Sequence, residues 1–152
     1  MPDLPVKVVP FTDENLRAAL PSPKRPRDQC SICTAIGTYA SRTERVGDAP
    51  PPPLPEAVRQ LREFMRLGEN VATNWLECCP ECDGLFYAER SHEFLIGGSE
   101  DCESHAQVTH DQVLALAEVS WAREPGVELH AFADGTWAII REPGKGRRQR
   151  RA

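Results

Sequence analysis

The strongest constraint on the fold of this chain is the spacing of four of its six cysteines. Cys30 and Cys33 are separated by two residues, and Cys79 and Cys82 repeat that spacing. Such a pair lets one tight turn present two sulfurs to a single ion, and Zn²⁺ takes four ligands of this kind in a tetrahedron. The two pairs together therefore predict one structural Zn²⁺. Iron also accepts four thiolates, so the ligand type alone leaves zinc and iron as alternatives.

The N-terminal sequence MPDLPVKVVPFTDENL contains no apolar stretch of the length that a signal peptide needs. No other window is long and apolar enough for a membrane helix. We therefore expect a cytoplasmic protein, in which thiols stay reduced and paired cysteines bind metal rather than form disulfides.

The second cysteine pair lies in a turn-forming context, Cys79-Pro80-Glu81-Cys82-Asp83-Gly84. Pro80 stiffens the turn, and we expect Gly84 to adopt the positive φ that such a turn requires. This CPxCxG motif resembles the knuckles of zinc-ribbon proteins. The resemblance is limited to the cysteine motifs, and it implies metal binding without indicating a particular family.

Two other interpretations of the cysteines remain open. Cys102 and His105 form a C-x-x-H pair that could replace Cys30 and Cys33 as ligands beside Cys79 and Cys82. Alternatively, C-P-E-C has the spacing of a disulfide oxidoreductase motif, but that chemistry needs a helix to begin at the first cysteine. Residues of β character follow Cys82 instead. Cys78 is predicted to be a small buried apolar residue beside the knuckle.

Hydrophobic periodicity and end signals predict the main elements. We expect helices over residues 13–20, 54–67 and 109–121, the last opening on a capping box of Thr109 and Gln112. Short strands are predicted at 85–89 and 92–96, and residues 97–105 are predicted to form an exposed acidic loop. A C-terminal hairpin is predicted from 127–133 and 136–141, joined by Asp134-Gly135.

These elements predict an α+β fold, a small zinc-stapled domain with helices packed on short antiparallel strands and a C-terminal hairpin. We expect three parts in the chain. They are a proline-rich N-terminal segment with a short helix (1–29), a single zinc-binding α+β domain (30–143) and a basic disordered tail (144–152).

The charge of the chain is unevenly distributed, although its net value is only −5. Residues 77–118 are strongly acidic, and Arg90 is their one basic residue apart from histidines. Such asymmetry indicates the kind of partner rather than the fold. We therefore expect a basic protein partner, and we predict that the carboxylates Glu100, Asp101 and Glu103 contact it.

The functional prediction is a non-enzymatic adaptor, regulator or immunity-type protein that acts through this acidic surface. No phosphate-binding glycine loop, nucleophile elbow or metalloprotease motif is present to indicate catalysis. The alternative is a zinc-ribbon protein that binds nucleic acid through its basic tail. Phosphates would be repelled at the second knuckle, which is flanked by Glu77, Glu81 and Asp83.

Overall fold

Eight β-strands account for most of the regular structure in a computed structural model of the chain, which describes residues 4–67 and 73–141. The strands are β1 (Lys7–Pro10), β2 (Tyr39–Arg45), β3 (Arg62–Arg66), β4 (Asn74–Cys78), β5 (Leu85–Leu95), β6 (Gly98–Gln107), β7 (Val127–Ala131) and β8 (Trp137–Arg141). The α-helices are short: α1 (Asp13–Ala19), α2 (Ser31–Ile36), α3 (His110–Leu114) and α4 (Ala117–Ser120). Single 3₁₀ turns span Arg27–Gln29, Glu56–Gln60 and Trp121–Arg123.

The strands form one mixed sheet in the order β1-β7-β8-β3-β4-β5-β6-β2. Every neighbouring pair is antiparallel except β3 and β8, which run parallel. The predicted α+β class is therefore confirmed. The sheet is much larger than that of a small zinc ribbon, and a buried four-cysteine cluster lies beside it.

The sheet supports two apolar clusters, and the alternation along β5 separates them. Leu85 and Tyr87 join the main core, whereas Phe86, which points to the other face, joins the second core. The main core receives Leu16 from α1 and Val113 from α3. The second core contains the four cysteines of the two C-x-x-C pairs together with Ile32, Ile36, Ala40, Val58, Leu61 and Phe86.

The prediction of a helix over residues 54–67 is wrong. A 3₁₀ turn occupies Glu56–Gln60, and β3 then pairs with both β4 and β8. The apolar residues of the predicted stripe are buried, but in different places. Val58 and Leu61 lie in the second core, while Met65 lies in the main core. One face of a helix could not place side chains in both apolar clusters. In addition, strand pairing at the centre of the sheet outweighs the helix propensity of these residues.

The exposed acidic loop predicted over residues 97–105 is also wrong, because these residues lie mostly in β6. Leu95 pairs with Gly98, so the β5–β6 connection is a two-residue turn at Ile96 and Gly97. β5 continues without a break from Leu85 to Leu95, where the sequence predicts two short strands. The charged residues of β5 and β6 have low strand propensity, so the sequence does not predict these strands. Opposite charges on neighbouring strands stabilise their pairing instead.

The structure confirms the predicted N-terminal helix, the predicted capping box and the predicted C-terminal hairpin. Thr12 caps α1, with its hydroxyl accepting from the Asn15 N–H at 2.9 Å, and the Thr109–Gln112 capping box opens α3. The C-terminal hairpin forms with Gly135 at φ 89°.

The helix predicted over residues 109–121 is interrupted. Leu116 has an extended backbone, and the Arg123 side chain donates a hydrogen bond of 2.8 Å to the freed carbonyl of Leu114.

The N-terminal segment contributes to both the sheet and the main core. β1 pairs with β7 at one edge of the sheet, and Leu16 of α1 is fully buried. The predicted basic tail lies outside the described residues. Among residues 4–67 and 73–141, no helix is long and apolar enough to cross a membrane.

Candidate metal centre

The first cysteine pair lies at the beginning of α2. Cys30 is the N-cap residue of this helix, and its sulfur accepts a hydrogen bond from the Cys33 N–H at 3.4 Å. The helix ends at Gly37, whose φ of 85° and N–H bond to the Cys33 carbonyl close the last turn. The short helix thus holds both sulfurs on its inner side, where both cysteines are buried.

The second pair occupies the turn between β4 and β5. Cys79 and Gly84 form a backbone hydrogen bond of 2.9 Å, and the Gly84 N–H donates to the Cys82 sulfur at 3.3 Å. The predicted positive φ at Gly84 is wrong, since Asp83 adopts it at 62°. The turn is nevertheless the predicted knuckle, with strands on both sides, and no helix follows Cys82 as a redox motif would require.

The four sulfurs converge on one point. Cys30 Sγ lies 3.6 Å from Cys79 Sγ, Cys33 Sγ lies 3.5 Å from Cys82 Sγ, and all four atoms lie within 4.8 Å of one another. A tetrahedral Zn²⁺ with bonds of about 2.3 Å places its sulfurs about 3.8 Å apart. The donor set and its spacing therefore fit a structural zinc ion, and all four residues are at most 1% exposed.

Burial in the second core raises the pKa of the Cys33 thiol, and the neighbouring thiols of Cys82 and Cys30 raise it further. A redox-active cysteine needs the opposite shift. Four buried thiols are deprotonated only if a cation balances their charge, as a bound metal ion does. The raised pKa of Cys33 thus argues against thiol exchange at this cluster.

Cys102 and His105, the alternative ligands, are not brought to Cys79 and Cys82. The Cys102 sulfur lies 2.9 Å from the Thr43 hydroxyl, and both His105 nitrogens are occupied by carboxylates. Cys78 is buried beside the knuckle as predicted, and burial raises its pKa to about 11. Within the described part of the chain, only the four cysteines form a cluster able to hold a metal.

Basic residues of the N-terminal segment lie against the second knuckle, which the sequence interpretation did not anticipate. Lys24 pairs with Asp83 at 3.3 Å, and Arg25 pairs with Glu81 at 3.5 Å. Glu81 also accepts from the Ser31 hydroxyl and N–H at the start of α2, and these bonds lower its pKa. The complementary charges of KRPR at 24–27 and PECD at 80–83 could have predicted this contact from the sequence.

Gly84 is required because its surroundings leave little room for a side chain. A Cβ at this position would lie 3.0 Å from Arg27 Cζ and 3.1 Å from the Cys82 sulfur. We expect Gly84→Ala to lower the free energy of unfolding by about 1–3 kcal/mol through overpacking. Gly97→Ala is the matched control, because nothing lies within 4 Å of its Cβ position. Equal urea-unfolding midpoints for the two variants would contradict this account of the site.

The three predicted partner-binding carboxylates lie on β6, and each has a basic partner on a neighbouring strand. Glu100 pairs with Arg45 at 2.6 Å, and Asp101 pairs with His92. Glu103 pairs with Arg90 at 3.1 Å and with His105 at 2.8 Å. The charges of these three residues are therefore largely balanced within the sheet.

His105 forms a buried network that sequence reasoning missed. Its Nδ1 lies 2.5 Å from a Glu77 oxygen and its Nε2 2.8 Å from a Glu103 oxygen. Burial disfavours the charged imidazole, but the two carboxylates outweigh this effect, so the pKa of His105 is raised. Burial likewise opposes ionisation of Glu103, but hydrogen bonds from His105 and Arg90 lower its pKa. The network joins β4, β5 and β6 beside the second core.

The four-cysteine cluster suggests a zinc site, and the fold around it is an α+β arrangement with a large mixed sheet. Comparison with protein-family models, with curated proteins and with solved structures finds no match to this chain.

Proposed function

We propose that this chain is a non-enzymatic, zinc-binding protein that acts by binding another protein, which carries a basic surface. In this proposal one Zn²⁺ held by Cys30, Cys33, Cys79 and Cys82 fixes the second core. The partner binds at the acidic arm, by which we mean residues 42–48 and 90–103 of β2, β5 and β6 with their connecting turns.

The observation that carries the proposal is the exposure of apolar side chains at the end of this arm. Phe94 and Ile96 are 87% and 110% exposed, and Val46, across β6 at the same end of the arm, is 64% exposed. β5 is buried as far as Ala88 and exposed from Glu89 onward, and beyond Arg90 its only partner strand among the described residues is β6. Large exposed apolar groups grouped in this way mark interaction sites.

The charge around the apolar tip indicates the chemistry of the partner. Six carboxylates and three arginines leave the acidic arm with a net charge of −3 when His92 is neutral. Asp48 lies close enough to Arg45 to interact with its charge, whereas Glu93 makes no ion pair with any described residue and is available to a partner. An apolar pocket with a basic rim would complement this surface, whereas anionic lipid or a second acidic arm would be repelled.

A cleft of about 560 Å³ lies beside the arm, lined in part by Arg42, Leu54, Arg90 and Glu103. In the lining Arg90 pairs with Glu103 and His92 pairs with Asp101, whereas Arg42 pairs at 3.0 Å with Glu44 outside it. The first two of these ion pairs join β5 to β6 along the acidic arm.

The experiment tests the arm tip directly. A photo-crosslinking residue at position 94 identifies the partner in cells, and the purified partner is then titrated against Phe94→Ser/Ile96→Ser protein. We expect binding to weaken roughly 30-fold or more, as for central apolar anchors, with unfolding midpoints unchanged because both side chains are exposed. Added salt should slow association.

Val8→Ser is the matched control, since Val8 is an exposed apolar residue on the opposite edge strand β1. Unaltered binding by the Phe94/Ile96 variant would contradict the proposal. Retention on DNA or RNA that survives deletion of residues 144–152 would instead favour a nucleic-acid function, which otherwise depends on that tail.

A further inference from the structure

Arg27 lies in the 3₁₀ turn directly before the first cysteine pair, and its guanidinium points into the protein. Its Nη2 donates hydrogen bonds to the carbonyls of Leu85 at 2.7 Å and Val108 at 3.0 Å. The guanidinium carbon also lies 5.2 Å from the centre of the Phe86 ring. These contacts fix the position of the charge at the border of the second core.

The other terminal nitrogen of Arg27 is unusual. Nη1 is buried and has no hydrogen-bond partner among the described residues. A guanidinium does not lose its proton in a protein, so its positive charge persists there. Arg27 as a whole is only partly buried, but leaving one buried donor atom of a cation unpaired is unfavourable, so the orphaned nitrogen is a sign of a missing negative group.

The orphaned nitrogen and the Cys82 sulfur of the metal-binding cluster both lie close to Gly84. Nη1 and the Cys82 sulfur are each 3.1 Å from the position that a Cβ on Gly84 would occupy. The two atoms are therefore no more than about 6 Å apart, and the space between them would be narrowed by any side chain at Gly84.

Charge counting links these observations. Four thiolates around one Zn²⁺ carry a net charge of −2, and here that charge is surrounded by apolar residues of the second core. We propose that Arg27 is the counter-ion of the metal centre, and that its partly buried charge strengthens the binding of Zn²⁺. This inference rests on the proposed zinc site.

Other basic residues nearby are less suited to this role. The side chains of Lys24 and Arg25 are 64% and 49% exposed, and each already pairs with a carboxylate of the knuckle. Water screens exposed charges of this kind. Arg25 therefore provides a control for nonspecific loss of positive charge.

The test is the affinity for Zn²⁺, measured by competition with a chelator of known affinity, for wild type, Arg27→Gln, Arg27→Lys and Arg25→Gln. Gln keeps a hydrogen-bond donor without charge, and Lys keeps the charge. We expect Arg27→Gln to bind Zn²⁺ about 10–100-fold more weakly, as when outer-shell partners are removed from metal sites. Arg27→Lys should retain most of the affinity, and Arg25→Gln should match wild type.

Equal weakening by Gln and Lys would overturn the inference, because it would show that the bonds to Leu85 and Val108 matter rather than the charge. Unchanged affinity in Arg27→Gln would overturn it as well. If Arg27→Gln does not fold even at saturating Zn²⁺, the affinity of Arg27→Lys tests the inference. Near-wild-type affinity of Arg27→Lys supports the counter-ion role, and a loss of about 10–100-fold refutes it. Wild-type protein without stoichiometric zinc would contradict the metal site itself, a separate result.

Discussion

A strong chelator is expected to unfold this protein. Structural zinc sites in small domains contribute apparent binding free energies of about 10–16 kcal/mol near pH 7, and this binding energy is largely folding energy. The net stability of a domain is about 5–15 kcal/mol, so the metal-free chain should lose its cooperative structure. We expect elemental analysis to show one zinc per chain, and near-ultraviolet circular dichroism to collapse when the metal is removed.

Cysteine variants identify the ligands in the same assay. Cys30→Ser and Cys79→Ser should lose the zinc and unfold at a lower temperature, because each leaves three ligands for a tetrahedral ion. Cys102→Ser is the matched control, since its sulfur contacts Thr43 and not the cluster. A chelated protein with verified metal loss and an unchanged thermal midpoint would contradict the structural role of the ion.

Replacing His105 with leucine is expected to lower the free energy of unfolding by about 3–5 kcal/mol, because it leaves the carboxylate of Glu77 buried without its partner. Glu77 is 7% exposed and His105 is 2% exposed. His92→Leu removes the exposed His92–Asp101 pair on the same sheet and should cost no more than about 1 kcal/mol. Urea unfolding at pH 7 compares the two variants, and equal losses would refute the buried network.

The difference between wild type and His105→Leu should depend on pH. Because the folded pKa of His105 is raised, its contribution is fully present below the unfolded pKa and disappears as pH rises through the folded value. Because the folded pKa of Glu103 is lowered, its contribution is present above the unfolded pKa and disappears as pH falls through the folded value. The difference should therefore be largest between these two limits and decrease on either side.

Sequence reasoning succeeded where a short motif determines local geometry. The two cysteine pairs, the Thr109–Gln112 capping box and the Asp134-Gly135 turn all form as their spacing predicts. Each depends on a few adjacent residues, whose geometry distant parts of the chain do not alter.

The failures occur where distant pairing decides the outcome. Nothing local to residues 62–66 indicates that they lie between β4 and β8, so their apolar spacing suggests a helix instead. The acidic run at 97–105 has low strand propensity, and its strand depends on arginines and histidines of β2 and β5. Arg27 likewise gains its significance only from Gly84 and Cys82, which are distant in the sequence.

The position of the two knuckles in the chain has a consequence for the order of folding. Cys79 and Cys82 lie in the turn of a local hairpin, which closes quickly, whereas Cys30 is 49 residues away from Cys79. Closing a loop of that length costs about 4 kcal/mol of chain entropy. We therefore expect an ion captured first by the hairpin to recruit the distant pair, so that β2 and β3 assemble on a chain that is already cross-linked.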